Sequence, residues 1–424
     1  MKILIVGGGG REHAIAWKLS KENNVEKIYC APGNAGIAKV AQCVNISDSD
    51  IENLVKFAKE NNIDLTVVGP EVPLVNGIVD EFEKKGLKIF GPNKECSTFE
   101  GSKAFSKDFM IRHNIPTAKY KEYTNLDEAI SEIDSFGYPV VIKADGLAAG
   151  KGVVIPENRE DAINTLKEMM SDKKFGSAGD KVVVEEFLSG IETSILAFVD
   201  NDTIVPMVSA KDHKKVYNFE KGPNTGGMGT FSPSEIYTDE LSKEISEKVL
   251  NRTLEGFKKD NLNYKGVLFI GLMITEDGPK VLEYNVRFGD PETQSVLFRL
   301  ETDLHKIMEA ILDNKLKDIE INYKKEEAVC VMLTSGGYPE DYEKGKVITG
   351  LEDLDEDIVV FHSGTKMLDG NLVTNGGRVI GITTSAGSVE EAAKKVYKNI
   401  EKINFEGMHY RTDIGIKFCE EIFF

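Results

Sequence analysis

The first hundred residues alternate short β-branched runs with amphipathic stretches, and that alternation restricts the fold more than any other feature. The runs at 2–6, 27–30, 65–68 and 88–90 read as strands, and 12–21, 51–60 and 75–85 read as helices. This spacing predicts a parallel sheet with helices on both faces. Beyond it the order is mixed. Helices are expected at 106–113, 126–135, 159–171 and 239–259. The tail holds strand-like runs at 328–333, 358–361 and 378–383 and a helix at 389–403. At 424 residues the chain is too long for one ordinary core, so several domains are expected. No internal repeat, low-complexity tract or long linker interrupts it.

Chemistry concentrates first at Val281-Leu-Glu283-Tyr-Asn285-Val-Arg287-Phe-Gly-Asp290-Pro. This segment follows the apolar run at 265–274 across an Asp277-Gly278 turn, a hairpin pattern. Side chains two apart on a strand share a face, which groups Glu283, Asn285 and Arg287. A carboxylate and an amide oxygen suit Mg²⁺, which keeps water and phosphate oxygens as its other ligands. An arginine beside them can hold a carboxylate or a phosphoryl oxygen in bidentate fashion. Alone, the triplet also fits a solvated strand face.

A second constellation is Tyr138-Pro-Val-Val-Ile-Lys143-Ala-Asp-Gly146-Leu-Ala-Ala-Gly150-Lys151-Gly152-Val-Val-Ile-Pro156. It is not a Walker A loop: the glycine spacing is one short, glycine replaces the hydroxyl residue, and a strand follows instead of a helix. A hairpin tip of small residues can instead fold over a triphosphate and offer backbone N–H groups, with Lys143 near the phosphates. The plain alternative is a flexible hairpin with a solvated lysine. Downstream, the strand beginning at Lys181 runs into Glu185 and Glu186, then Phe187, Leu188 and a turn to Glu192. Backbone groups at Glu186 and Leu188 could line an adenine pocket, leaving Glu192 for ribose hydroxyls. On its own the segment is equally a strand end with a solvated turn.

The glycines at 7–10 precede a helix, as in a dinucleotide fold. The G-x-G-x-x-G fingerprint nevertheless fails, because Glu12 or His13 stands where its third glycine belongs. The second strand also ends Tyr29-Cys30-Ala31, without the acid that would bind a ribose. A glycine turn before a helix still makes an anion site from free N–H groups and the helix dipole. A tight turn that needs glycine for backbone reasons is the other reading.

In this order, these segments resemble the ATP-grasp fold, and the whole chain resembles the phosphoribosylamine–glycine ligase family. The resemblance rests on Gly7-Gly-Gly-Gly10-Arg11-Glu12-His13, Gly69-Pro-Glu71-Val-Pro-Leu74-Val and the Lys143–Gly152 loop. It continues through Gly222-Pro-Asn224-Thr-Gly226-Gly-Met-Gly229, Arg287-Phe-Gly-Asp290-Pro-Glu292, Gly376-Gly-Arg378-Val and Arg411-Thr-Asp413-Ile-Gly415. It implies an N-terminal parallel α/β domain (1–105), an ATP-grasp domain (106–324) whose lid is 122–192, and a small β-rich C-terminal domain (325–424).

The activity it implies is joining glycine to 5-phosphoribosylamine with ATP and Mg²⁺ or Mn²⁺. In that reading Glu283 and Asn285 hold the metal, and Lys143 and Lys103 neutralise the phosphates. Gly146, Gly150 and Gly152 close over them, and Glu185, Glu186, Leu188 and Glu192 surround the nucleoside. Arg287 stabilises the transferring phosphoryl group. Gly9, Gly10 and Arg11 receive the ribosylamine phosphate, and Asp212 its hydroxyls or amine. Asn224, Gly226 and Asp290 are further substrate contacts. The chain departs from the family at Lys211, where glutamine is usual, and across 216–221, where a glycine–aspartate pair is usual.

Composition agrees. No apolar run approaches a membrane span, and the start lacks a signal-peptide pattern. The five cysteines are scattered, which fits a reducing compartment; a cytoplasmic monomer or weak homodimer is expected. A net charge of −18 argues against nucleic-acid binding and requires anionic substrates to be held by local cations. Three other readings are weighed: a sister ATP-grasp enzyme such as a carboxylase or a formate-using transformylase, a nucleotide-binding regulator, and a dehydrogenase, which the glycine spacing sets aside.

Overall fold

The computed structural model describes residues 1–147, 152–172, 174 and 176–416. Its N-terminal part runs β1 (Lys2–Gly7), α1 (Gly10–Leu19), β2 (Lys27–Pro32), β3 (Gln42–Cys43), α2 (Ile51–Glu60), β4 (Leu65–Val68), α3 (Glu71–Val75), α4 (Ile78–Lys84) and β5 (Ile89–Phe90). The strands form one parallel sheet in the order β3-β2-β1-β4-β5. Alternate residues of β1 go to opposite cores. Ile3 and Ile5 pack with Ile15 and Leu19 of α1, while Leu4 and Val6 pack with Leu54 of α2 and Phe82 of α4. Burial on both faces explains why the strands read as unbroken apolar runs. The strand order reverses at β1 and β4, opening a crevice at their C-terminal ends. The Gly7–Gly9 turn and Gly69-Pro70-Glu71 both follow those ends. The helix expected at 75–85 begins later, as α4, and an unexpected α3 precedes it, because Gly77 between them takes φ +89°, which glycine adopts without a Cβ penalty.

Next come α5 (Lys94–Gly101), α6 (Lys103–Arg112), β6 (Tyr120–Tyr123), α7 (Leu126–Glu132), β7 (Val140–Ala144), β8 (Val153–Val154), α8 (Arg159–Met170) and β9 (Val182–Glu186). Here β6-β9-β7-β8 is a small antiparallel sheet whose core joins Ile142 and Val184 to Ala129 of α7 and Leu166 of α8. The chain continues through β10 (Ile191–Val199), β11 (Ile204–Pro206), β12 (Lys211–Asp212), β13 (Lys215–Tyr217), β14 (Lys221–Asn224) and β15 (Gly229–Ser232). Then follow α9 (Asp239–Ile245), a π-helical turn at Ser246–Leu250, α10 (Asn251–Lys259), β16 (Gly266–Thr275) and β17 (Gly278–Asn285). The sheet β11-β10-β16-β17 shares both cores of the first sheet: Ile195 and Ala197 join one, Leu196 and Phe198 the other. The hydrophobic core therefore runs on across residue 105.

The remainder is α11 (Glu292–Arg299), α12 (Leu304–Leu312), β18 (Glu327–Thr334), β19 (Val359–His362), β20 (Thr365–Leu368), β21 (Asn371–Thr374), β22 (Arg378–Ala386) and α13 (Val389–Ile400). Its sheet, β12-β15-β18-β22-β19, takes strands from both sides of residue 325. Among the described residues no helix is long and apolar enough to cross a membrane.

The first helix docks on this last sheet. Trp17 stacks on Phe298 with centroids 5.2 Å apart and meets Phe361 edge-on at 5.5 Å. Beside them the His362 backbone N–H donates to His13 Nδ1 at 2.8 Å. Burial, then His362 and Lys39, lowers the His13 pKa to about 3, and burial lowers His362 to about 4. In the unfolded chain both would titrate near 6.5, so the unfolded state binds more protons below that pH and stability falls as acid is added. His13→Asn keeps a hydrogen-bond acceptor but cannot take a charge. The urea midpoint of the wild type should fall more than that of His13→Asn between about pH 7 and pH 5. Equal losses would remove His13 from the acid response.

Candidate active site

A cleft of about 380 Å³ lies where the small sheet, β17 and the crevice of the first sheet meet. Among the described residues its walls carry six cations, Arg11, Lys103, Lys107, Lys143, Arg287 and Arg378, against five acids, Glu71, Glu100, Glu185, Glu283 and Asp290. A chain with net charge −18 thus presents a locally cationic cleft, the arrangement a polyanion requires.

Glu185 of β9 is buried between two lysines. Lys143 Nζ, from β7, lies 2.8 Å from one carboxylate oxygen, and Lys107 Nζ, from α6, lies 2.8 Å from the other. Lys107 also donates to Thr117 Oγ1 at 2.7 Å, and Lys143 donates to the Leu282 carbonyl of β17 at 3.3 Å. Burial acts to raise the Glu185 pKa, but Lys143 and Lys107 outweigh it and hold the carboxyl below its ordinary range. The opposite balance governs Lys107, where burial outweighs Glu185 and pulls the ammonium down to about 8. Lys103, one turn before Lys107, donates to the Gly146 carbonyl at 2.9 Å, and burial lowers its pKa too. Asp145 accepts from Ser102 Oγ at 3.1 Å and from Ala104 N–H at 3.1 Å, which ties the loop after β7 to the start of α6.

Glu283 and Asn285 project from one side of β17 into this cleft. Opposite Glu283 stands Gly271, where a Cβ would lie 3.2 Å from Glu283 Cγ. Burial acts to raise the Glu283 pKa, but Lys214, Lys143, Lys103 and Arg287 reverse it, so the carboxylate is ionised. The Asn285 amide nitrogen donates to the Tyr284 carbonyl at 2.9 Å, which leaves its oxygen for a ligand. Among the described residues no group of three or more histidine, cysteine or acidic side chains is set to enclose a metal. Two oxygen donors fit an ion that keeps water and substrate oxygens in its shell.

Arg287 is held at 3.0 Å from Glu100 and 3.7 Å from Glu71, while Glu100 also accepts the Val286 N–H at 2.8 Å. Arg378, from the C-terminal sheet, donates to the carbonyls of Gly226 and Asp290, each at 2.6 Å, and lies 3.3 Å from the Asp290 carboxylate. Asp290 in turn accepts from Gln294 at 2.9 Å, and its ordinary burial penalty is overcome by Arg378 and Arg11.

A smaller pocket of about 240 Å³ is lined by Gly190–Ser194, Lys211, Asp212, Lys214 and Glu220. Lys214 pairs with Glu192, and the pull of Glu192, Glu283 and Asp212 overcomes burial to raise its pKa. Asp212 has one oxygen buried without a hydrogen bond. Burial and then Glu292 push its pKa well above the carboxylate range.

Of the residues singled out from sequence, Arg11, Lys103, Lys143, Gly146, Gly152, Glu185, Gly226, Glu283, Asn285, Arg287 and Asp290 meet in the main cleft. Glu192 and Asp212 meet in the side pocket. Glu186, Leu188, Asn224, Gly9 and Gly10 line neither. Glu186 exchanges bonds with Lys119, its N–H donating to the carbonyl at 3.0 Å and its carboxylate accepting the N–H at 2.9 Å. Leu188 is buried, and Asn224 is exposed on β14 opposite Lys215. Gly150 lies outside the described residues.

The N-terminal glycines have a local explanation. Glu12 accepts the Gly9 N–H at 2.6 Å and pairs with Arg11 at 2.7 Å, and a side chain at Gly7 or Gly69 would collide with it. Arg11 also donates to the Phe288 carbonyl at 3.0 Å. Glu12, the third residue of the helix, thus takes up the Gly9 N–H, the half of a capping box that a glycine cap permits.

Sequence reasoning assigned no role to Lys107, Glu71, Glu100, Lys214 or Arg378. Lys107 follows Lys103 by four positions, which places both on one face of α6, and that spacing was the available signal. Glu71 and Arg378 sit inside quoted motifs, but their convergence on Arg287 and Asp290 depends on tertiary structure.

Comparison with known proteins matches residues 1–100, 101–293 and 328–417 to the N, ATP-grasp (A) and C domains of phosphoribosylglycinamide synthetase. A phosphoribosylamine–glycine ligase of Caldanaerobacter subterraneus subsp. tengcongensis is 53% identical, over 98% of this chain and 99% of that one. One from Halalkalibacterium halodurans is 48% identical, over 99% and 98%. The crystal structure of phosphoribosylamine–glycine ligase from Thermotoga maritima superposes with a TM-score of 0.85 at 35% identity, over 98% of this chain and all of that one. The biotin carboxylase domain of Hydrogenobacter thermophilus 2-oxoglutarate carboxylase shares the fold, with a TM-score of 0.74 at 17% identity, over 96% of this chain and 91% of that one.

The paired lysines yield a direct test. Lys107 should titrate near pH 8, and Glu185→Gln should lower that midpoint further by removing the carboxylate that retains the proton. The unfolded chain keeps this proton to about 10.5, so the Lys107 contribution to stability grows as pH rises between the two values. Carbon NMR of methylated lysines would read the midpoint; a value near 10.5 would contradict it.

Proposed function

The chain belongs to the phosphoribosylglycinamide synthetase family, and from that premise we propose how its residues divide the family's reaction. It is an ATP-dependent carbon–nitrogen ligase of purine synthesis that joins glycine to 5-phosphoribosylamine, giving glycinamide ribonucleotide, ADP and phosphate. The carrying observation is that Lys103, Lys143 and Arg287 line one cleft with Glu283, whose carboxylate these cations and Lys214 keep ionised. Cations gathered round one metal-binding carboxylate suit a nucleoside triphosphate.

In this proposal the glycine carboxylate attacks the ATP γ-phosphorus, the bond to the ADP oxygen breaks, and glycyl phosphate forms. The ribosylamine nitrogen then attacks the acyl carbon, phosphate leaves, and the nitrogen gives up a proton. Glu283 and Asn285 would hold Mg²⁺ or Mn²⁺, which supplies charge neutralisation and a template for the phosphate oxygens. Lys143 and Lys103 hold the phosphates, with Lys107 keeping Glu185 and Lys143 in register. Arg287, fixed by Glu100 and Glu71, faces the transferring phosphoryl and the acyl-phosphate oxygens. Positioning and charge stabilisation carry most of the acceleration in such a transfer.

Glu185, Glu186, Leu188 and Glu192 would surround the nucleoside, and Gly146, Gly150 and Gly152 the phosphates. Gly9, Gly10, Arg11, Asp212, Asn224, Gly226 and Asp290 would serve the ribosylamine. The hydroxyls of both sugar-bearing substrates would reach the side pocket, through Glu192 for ATP and Asp212 for the ribosylamine. Residues 1–105, 106–324 and 325–424 would act as three functional units, with 122–192 as the lid. A cytoplasmic setting and a monomer or weak homodimer complete the proposal.

ADP release with ATP, Mg²⁺, glycine and ribosylamine made in situ, each omitted in turn, tests it. ADP should appear only with all four, alongside glycinamide ribonucleotide by mass. A requirement for a different carboxylate would assign the chain to a sister ATP-grasp enzyme. Glu283→Ala and Lys143→Ala should each lower kcat by about 10²–10³-fold while the protein stays folded. Near-wild-type turnover would remove that residue from the mechanism.

A further inference from the structure

The tip of the β13–β14 hairpin is built against local preference. Phe219 and Glu220 both take left-handed backbone, at φ +58° and +54°. Each carries a Cβ that this region penalises, and two in succession persist only where the surroundings hold them. The surroundings are a short segment of the C-terminal part, residues 409–413, which contacts every residue from 215 to 220.

Arg411, 1% exposed, donates to the Lys215 carbonyl at 3.1 Å and pairs with Glu220 at 2.8 Å. His409 Nε2 lies 2.9 Å from the Val216 carbonyl, and its ring meets that of Tyr217 at 5.7 Å. Asn218 and Thr412 exchange two bonds, Asn218 Nδ2 donating to Thr412 Oγ1 at 2.7 Å and Thr412 N–H donating to Asn218 Oδ1 at 3.0 Å. The Phe219 N–H donates to Asp413 at 2.8 Å, and Asp413 is itself bonded twice by Arg411, at 2.8 and 2.7 Å.

The gripped segment bears on the side pocket at both ends. Glu220, at the tip, is part of its wall. Lys214, immediately before β13, pairs with Glu192 and acts on Glu283 and Asp212. We propose that Arg411, Thr412 and Asp413 are positioning residues for substrate. They hold the strained tip so that Glu220 closes the side pocket and Lys214 stays between the two sites. The inference rests on the reading that the sugar-bearing substrates use this pocket.

Thr412→Val in the full chain removes the hydroxyl that accepts from Asn218 and leaves the buried Arg411–Asp413 pair intact. The KM for ATP, for phosphoribosylamine or for both should rise about twofold to tenfold, the range of one lost hydrogen bond, with the glycine KM unchanged. Phe219→Gly, added to Thr412→Val, should restore the wild-type KM, because glycine holds the left-handed turn without the clamp. A purely structural segment would lower the melting temperature without this split between substrates. Unchanged KM values, a glycine KM rising in step, or failure of Phe219→Gly to restore would overturn the proposal. Lys211→Met, on the pocket wall outside the clamp, separates the two levels. If it shifts the KM of a sugar-bearing substrate and Thr412→Val does not, only the clamp is refuted. If neither does, the assignment of the pocket falls and the inference with it.

Discussion

Glu185 is the carboxylate on which the charge of the cleft is balanced. Two lysines that would repel one another are brought to its two oxygens, one from α6 and one from β7. Removing one partner of a buried ion pair leaves an uncompensated charge, so each member of the trio depends on the other two. The arrangement also joins three pieces of the fold. Lys107 reaches Thr117, which bonds to the Val281 carbonyl, and Lys143 reaches the Leu282 carbonyl. Both routes end on β17, the strand carrying Glu283 and Asn285. One buried carboxylate therefore ties the position of Lys107 and Lys143 to that of Glu283 and Asn285.

The C-terminal part is bound to the site by the same logic of shared elements. The strand pairs β12–β15 and β15–β18 place Asp212 on an outer strand of a sheet completed by β22 and β19. Arg378 leaves that sheet at the start of β22 to bond both Gly226 and Asp290. Two motifs far apart in sequence are thereby locked to each other by one guanidinium. An arginine suits this position because its several donors lie in a fixed plane and remain charged when buried.

Elements with a strong period were legible in the sequence. The strands at 2–6, 27–30 and 65–68, the helices at 51–60 and 159–171, and the hairpin carrying Glu283 stand within a residue or two of their expected positions. The misses have different causes. β3 is a two-residue strand set by its neighbour β2, whereas β20 and β21 form a hairpin across Asp369-Gly370, a local turn signal not read as one. The helix α5 begins with an Asn93 cap that accepts from the Cys96 N–H at 2.9 Å, a signal present in the sequence and not read as one. At the site, the placing of Glu283, Asn285, Lys143 and Lys103 in one cleft followed from spacing, residue type and the family resemblance. The Gly9–Arg11 turn shows the limit of that method. Its pattern announces free N–H groups, of which the Glu12 carboxylate takes the Gly9 one, and glycines at 7 and 69 give that carboxylate room to turn inward.

That inward turn changes how Arg11 acts. A guanidinium bonded to Glu12 and to the Phe288 carbonyl is fixed at the cleft wall, where, after Arg378 at Asp290 and Arg287 at Glu71, it helps lower both carboxyl pKa values. Burial alone would raise both, and a protonated Asp290 would lose its attraction to Arg378. Arg11 acts at a distance, as a fixed charge that keeps neighbouring acids ionised. The same holds for Lys214 and Glu283 across the two pockets. In a chain whose overall field repels anions, the cleft stays cationic because Glu185, Glu283 and Asp290 are outweighed by cations fixed before any substrate arrives, whereas at Glu100 burial prevails and raises the carboxyl. Charges already oriented need not be reorganised when new charge develops, which is the physical condition for stabilising a phosphoryl transfer.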